Sequence, residues 1–91
     1  MAQTTNNEQI VLVVGAQELR FKPTLAAYNG YINDMMPNDK VAPGVNYLRR
    51  IVVKDDLDAL NELLKRPLAM KLVAKVNEQF EGDVEIEVKN Y

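Results

Sequence analysis

The sequence predicts an α+β fold. It consists of a small three-stranded sheet, an N-terminal β-hairpin plus a C-terminal strand, with about four helices packed on one face, in the order ββααααβ. Three observations predict it. "QIVLVVGAQELRFK" holds two strand-like runs around Gly15-Ala16, and glycine at the first central position suits a two-residue type II′ turn. Between residues 23 and 82, apolar residues recur at helical spacing and are interrupted by Pro37, Pro43 and Pro67. Finally, "DVEIEVK" alternates, with Val84, Ile86 and Val88 on one side and Glu85, Glu87 and Lys89 on the other.

Residues 1–8 are polar and without periodicity, and read as a disordered tail; residues 9–91 read as one domain. In the hairpin, a two-residue turn sets Ile10 opposite Phe21 and Leu12 opposite Leu19. It also sets Val11 opposite Arg20 and Val13 opposite Glu18. The large apolar pairs then share one face. Strand 1 is apolar on both faces, which predicts a central position between strand 2 and the C-terminal strand. The helices are expected on the face of Ile10, Leu12, Leu19 and Phe21, with Val11 and Val13 uncovered on the other.

Pro23 is expected at the first position of helix 1, where its missing N–H needs no partner. Leu25, Tyr28, Ile32 and Met35/Met36 form its apolar stripe, and Gly30 suggests close approach of another element. The stripe ends at "NDMMPNDKVAPG", residues 33–44, a joint in which Asn38, Asp39 and Gly44 supply turn chemistry. Pro43 is expected to open helix 2, with Val45, Leu48, Ile51 and Val52 inward and Arg49, Arg50 and Lys54 outward. Asp55 or Asp56 reads as the N-cap of helix 3, whose stripe is Leu57, Leu60, Leu63 and Leu64. Pro67 opens helix 4, in which Leu68, Leu72, Val76 and Phe80 repeat, and Gly82 stands at its C-terminus.

Composition narrows the function. A 91-residue chain of which 47% is hydrophobic fits one domain. Eleven basic and thirteen acidic residues leave a net charge of −2, which speaks against nucleic acid or an acidic membrane as the partner. The chain has no Cys, His, Ser or Trp. Ser-His and Cys-His nucleophiles cannot be assembled, a zinc site lacks its usual ligands, and no glycine-rich phosphate cradle occurs. The expectation is a non-enzyme without metal or cofactor. The polar start lacks a signal-peptide pattern, and the longest apolar run is too short to cross a bilayer, so a cytoplasmic location is expected.

The remaining candidates are binding surfaces. Asp55, Asp56 and Asp58 are explained by helix capping and lack the spacing of a calcium loop. Arg49, Arg50 and Lys54, near Tyr47, suit either a solvated helix face or a small DNA-contacting patch. Tyr28 shares the stripe of Leu25 and Ile32 and reads as core. Tyr31 lies off that stripe and reads as a surface anchor. Tyr31 and Tyr47, with Met35 and Met36, are the candidate partner-binding residues, as adaptable edges of a groove between helices 1 and 2. Val11 and Val13 are the candidate self-association residues.

The stretch "FKPTLAAYNGYINDMMPNDKVAPGVNYLRR" resembles a family of bacteriophage tail assembly chaperones. The family's ordered string is a hairpin, then F-x-P, Y-N-x-Y-I-N, D-K-V-A-P and N-aromatic-L-x-R. Here these are Phe21 and Pro23, Tyr28 to Asn33, Asp39 to Pro43, and Asn46 to Arg49. The later helices and the terminal strand extend the resemblance from about residue 9 onward. The resemblance implies a protein that binds the long helical tape measure protein during tail morphogenesis and is absent from the finished tail. A homo-oligomer is expected from the uncovered Val11 and Val13, and the charge balance speaks against nucleic acid or membrane as partner. The alternatives are a small DNA-associated regulator using the Arg49/Arg50 helix, or a structural phage component.

Overall fold

The computed structural model describes residues 9–82 and 86–89. The chain opens with an antiparallel hairpin, β1 (Ile10–Val14) and β2 (Gln17–Phe21). Its register pairs Ile10 with Phe21, Leu12 with Leu19, Val11 with Arg20 and Val13 with Glu18, as the two-residue turn requires. Gly15 has φ +64° while Ala16 keeps a negative φ, the sign pattern of a type II′ turn. The inward face of β2 is fully buried at Leu19 and Phe21. The inward residues of β1, Ile10, Leu12 and Val14, are only half-buried.

Four helices follow: α1 (Leu25–Asp34), α2 (Val41–Ile51), α3 (Leu57–Leu63) and α4 (Ala69–Glu81). A 3-10 turn, Lys54–Asp56, precedes α3. The core gathers Leu19, Phe21, Leu48, Leu60 and Val76, all fully buried, where the hairpin meets α2, α3 and α4. Burying each such side chain contributes roughly 1.5–3 kcal/mol.

Two sheet expectations are corrected. Among the described residues the sheet has two strands, not three. Residues 86–89 form no strand, and Ile86 and Val88 are 87% and 85% exposed. The expectations for residues 1–8 and for Val84 and Glu85 lie outside the described residues. Alternation makes a segment fit for a sheet, but only a partner edge makes it a strand. The second correction is that, among the described residues, β2 and not β1 has neighbours on both edges. The outer edge of β2 is met by Ile51–Val53: Lys22 N–H donates to the Ile51 carbonyl (2.7 Å), and Val53 N–H to the Arg20 carbonyl (2.9 Å). Val52 thereby faces Phe21 across an isolated bridge.

Helix starts also shift. Thr24, not Pro23, ends the approach to α1, its hydroxyl accepting from Ala27 N–H (3.1 Å). Pro23 is buried just outside. α2 begins at Val41, so Pro43 is its third residue, where no intrahelical N–H bond is lost. Asp56 precedes α3 but makes no capping bond.

Gly44, assigned to turn chemistry, is a buried helical residue where α2 packs against α4. A Cβ there would stand 3.2 Å from Met70 Sδ and 3.3 Å from Val73 Cγ2. At Gly30, expected to serve close approach, the nearest atom to such a Cβ is the tip of Arg50, at 3.3 Å.

Candidate functional site

α1 and α2 are joined by residues 35–40, in which Met36 and Asp39 exchange backbone hydrogen bonds (3.1 and 3.2 Å) across Pro37-Asn38. The joint turns the chain so that α1 and α2 pack side by side. The buried face of α1 carries Ala27 and Tyr31, turned from the predicted stripe by about one residue, or roughly 100°. The small Ala27 side chain suits a face against which another helix closes.

Tyr31 and Tyr47 meet on that face. Their rings stack with centroids 5.0 Å apart and planes 19° apart, and they are only 6% and 2% exposed. Tyr47 OH donates to Asn77 Oδ1 on α4 (3.0 Å). The pair therefore ties α1, α2 and α4 together, and the expectation of Tyr31 as a surface anchor is corrected. Tyr28, expected in the core, is half-buried. Its hydroxyl donates to Glu81 Oε2 (2.9 Å), and its ring lies 5.7 Å from that of Phe80.

A cleft of about 90 Å³ remains between α1 and α2, lined by residues that include Gly30, Asp34, Asn46, Arg50 and the two stacked tyrosines. A helix with its side chains is about 10–12 Å across, so this cleft does not seat one. Met35 packs against the core, while Met36 is exposed.

The exposed apolar surface lies elsewhere. Leu25 and Ile32, placed in the core stripe by the sequence reading, project outward together with Met36 and Val41. Leu25 and Ile32 are seven residues apart and lie on one side of α1, about 10 Å along its axis. Met36 and Val41 continue the apolar residues into the joint and the first residue of α2. The signal that this surface was available is the second apolar edge of α1: Ala27 and Tyr31 offer an alternative inward face. Val11 and Val13 are exposed on the outer face of the hairpin, as expected from the alternation.

A half-buried ion pair lies where the sequence suggested only a cap. Asp56 Oδ2 accepts from Arg20 N–H (2.8 Å) and Arg20 Nε (2.9 Å), and Oδ1 accepts from Arg20 Nη2 (3.0 Å). This fork ties β2 to the start of α3 over 36 residues of chain. The Arg20 side-chain and backbone hydrogen bonds hold the Asp56 carboxyl below the usual carboxylate range. Arg49 Nε is engaged by Asn61 Oδ1 (2.9 Å).

The hydrogen bond to Glu81 raises the Tyr28 phenol, and burial raises that of Tyr31. Burial, aided by Tyr28, Tyr31 and Glu81, pushes Tyr47 up to about 12. Each shift moves its group away from neutrality, the reverse of what acid-base catalysis uses. Among the described residues no acidic cluster has the makings of a metal site, and no helix is long and apolar enough to cross a membrane.

A family model described as phage tail assembly chaperone matches residues 10–90 of the chain. Among curated proteins, an uncharacterised 11.3 kDa protein from the lys 3′ region of Haemophilus phage HP1 (strain HP1c1) is 39% identical over 84 residues. The alignment covers 91% of this chain and 82% of the phage protein. No solved structure matches.

Proposed function

The chain belongs to the phage tail assembly chaperone family, and from that premise we propose that it binds the helical tape measure protein during tail morphogenesis in the host cytoplasm. The observation that carries this reading is the exposed apolar set Leu25, Ile32, Met36 and Val41 on α1 and its joint with α2. Side chains seven residues apart on one helix match the spacing at which an amphipathic client helix presents its own anchors. Met36, flexible and polarisable, adapts to clients of varied shape, and Met35 backs it from the core side. Tyr31 and Tyr47 support this surface from beneath rather than touching the client. The outer hairpin face, with Val11 and Val13, is the surface this reading reserves for self-association.

The test is co-expression with a fragment of the tape measure protein. The chain is expected to keep the fragment soluble and to co-purify with it. Leu25→Asp with Ile32→Asp is expected to abolish both effects while the circular dichroism spectrum stays unchanged. A double variant that folds and retains the client at normal strength overturns the placement of the surface. A wild-type chain that leaves the fragment insoluble, yet is retained on DNA in a salt-dependent manner, overturns the function in favour of a DNA-associated regulator.

A further inference from the structure

We propose that the cleft between α1 and α2 is a binding site for a side-chain carboxamide, that of a glutamine or asparagine presented by a partner segment, held between Arg50 and Asp34. The cleft is separate from the exposed apolar set. Gly30 and Asp34 lie about 140° and 180° around α1 from Leu25. The proposal therefore does not rest on the client reading.

The two walls are built alike. Each takes residues at the spacing i, i+3, i+4 and i+7, from Ala27 to Asp34 on α1 and from Pro43 to Arg50 on α2, so each helix presents one continuous face. Tyr31 and Tyr47, buried and stacked, give the cleft a fixed apolar lining. The polar groups follow in order along it. The tip of the Arg50 guanidinium comes to 3.3 Å from where a Cβ would stand on Gly30, so the cation lies across α1 at that glycine. Asp34 stands one turn further along α1, about 6 Å on. Asn46 stands one turn before Arg50 on α2.

Arg50 and Asp34 line one cleft as opposite charges, yet they do not pair. Among the described residues, the side chains of Arg50, Asp34 and Asn46 enter no ion pair and no hydrogen bond. Gly30 and Asn46 are also weak helix formers at mid-helix positions. The cleft is thus opened at the expense of both helices, by residues that hold nothing else together.

A carboxamide matches the gap. Its carbonyl oxygen accepts from Arg50, and its NH2 group donates to the Asp34 carboxylate. A carboxylate in the same place would satisfy Arg50 but be repelled by Asp34, and an ammonium would meet the reverse. At about 90 Å³ the cleft is smaller than the roughly 150 Å³ cavity that holds benzene. It suits the head of one side chain, not a whole amino acid.

Titration of the full nitrogen-15-labelled chain with propionamide, propionate and propylammonium, three probes of one shape, tests this through chemical shifts. Propionamide is expected to shift Gly30, Asp34, Asn46 and Arg50 in a saturable way. It should bind at least about fivefold more tightly than either ion, the factor that one net hydrogen bond provides. Arg50→Met should weaken propionamide by that factor. Asp34→Asn should raise the affinity for propionate, because it removes the repulsion. Both side chains are exposed and unpaired, so neither change should lower the thermal melt. A capped Ala-Gln-Ala peptide should bind at least as tightly as free glutamine. Shifts that do not saturate, or that spread over the whole surface, overturn the proposal. So does an ion that binds as tightly as propionamide, or affinities left unchanged by either variant. Free glutamine as the tighter ligand would make the cleft a metabolite site and overturn the assignment to a partner segment.

Discussion

Removing the stacked tyrosines is expected to cost the chain most of its stability. Tyr31 and Tyr47 are 6% and 2% exposed, and their rings stack at 5.0 Å. Truncating a buried aromatic to alanine costs about 3–5 kcal/mol. The stack adds roughly 0.5–1.5 kcal/mol of coupling, counted in both single variants but lost only once in the double. Tyr31→Ala with Tyr47→Ala should therefore cost about 5–9 kcal/mol. A domain of this length has a total stability on the order of 5–13 kcal/mol, so the double variant is expected to be largely unfolded at 25 °C. Each single variant should still fold, with a Tm lowered by more than about 12 °C. Tyr47→Phe, which keeps the ring but deletes the bond to Asn77 (3.0 Å), should cost only about 1 kcal/mol. Urea unfolding followed by far-ultraviolet circular dichroism measures all four variants. A double variant that unfolds cooperatively with a loss below about 2 kcal/mol would refute the reasoning, since the rings could not then be core. The same cycle guards against misreading a binding assay: loss of the client in the double alanine variant reports unfolding.

Three further outcomes are expected. The Asp56 carboxyl is held below its ordinary value by Arg20, so its contribution is fully present above the unfolded value of about 3.9 and is lost as pH falls through the folded one; Asp56→Asn should flatten the acid limb of urea midpoints measured from pH 2 to 7. Tyr47 is raised to about 12 from about 10 when unfolded, so its contribution is whole below pH 10 and is lost between pH 10 and 12; Tyr47→Phe should reduce that alkaline loss in the same assay. At Gly44, where a Cβ would press on Met70 and Val73, valine should cost about 1–3 kcal/mol by overpacking. Alanine there should be close to neutral, its gain of about 1 kcal/mol in helix propensity offsetting the contact. Thermal melts of the two Gly44 variants check this.

What the sequence determined by itself was local. Gly15-Ala16 sets a two-residue turn, and with it the pairing of Ile10 with Phe21 and Leu12 with Leu19, because turn length and side-chain alternation leave one register that puts the large residues together. Pro37 and Gly82 mark where helices stop for equally local reasons of backbone sterics. The ordered string from Phe21 to Arg49 carried the family resemblance. The tertiary structure decided what depends on a partner distant in the chain. α1 is apolar on two sides, and periodicity cannot tell which is covered; the stack of Tyr31 on Tyr47 and the bond from Tyr47 to Asn77 turn Ala27 and Tyr31 inward and leave Leu25 and Ile32 outside. Asp56 sits where any helix start favours an acid, yet Arg20, 36 residues away, claims both its oxygens. Ile51–Val53 leaves its helix to lie along the outer edge of β2, which the sequence reading left without a neighbour. Alternation in Ile86–Lys89 describes a surface suited to a sheet, but a strand exists only where a second backbone meets it.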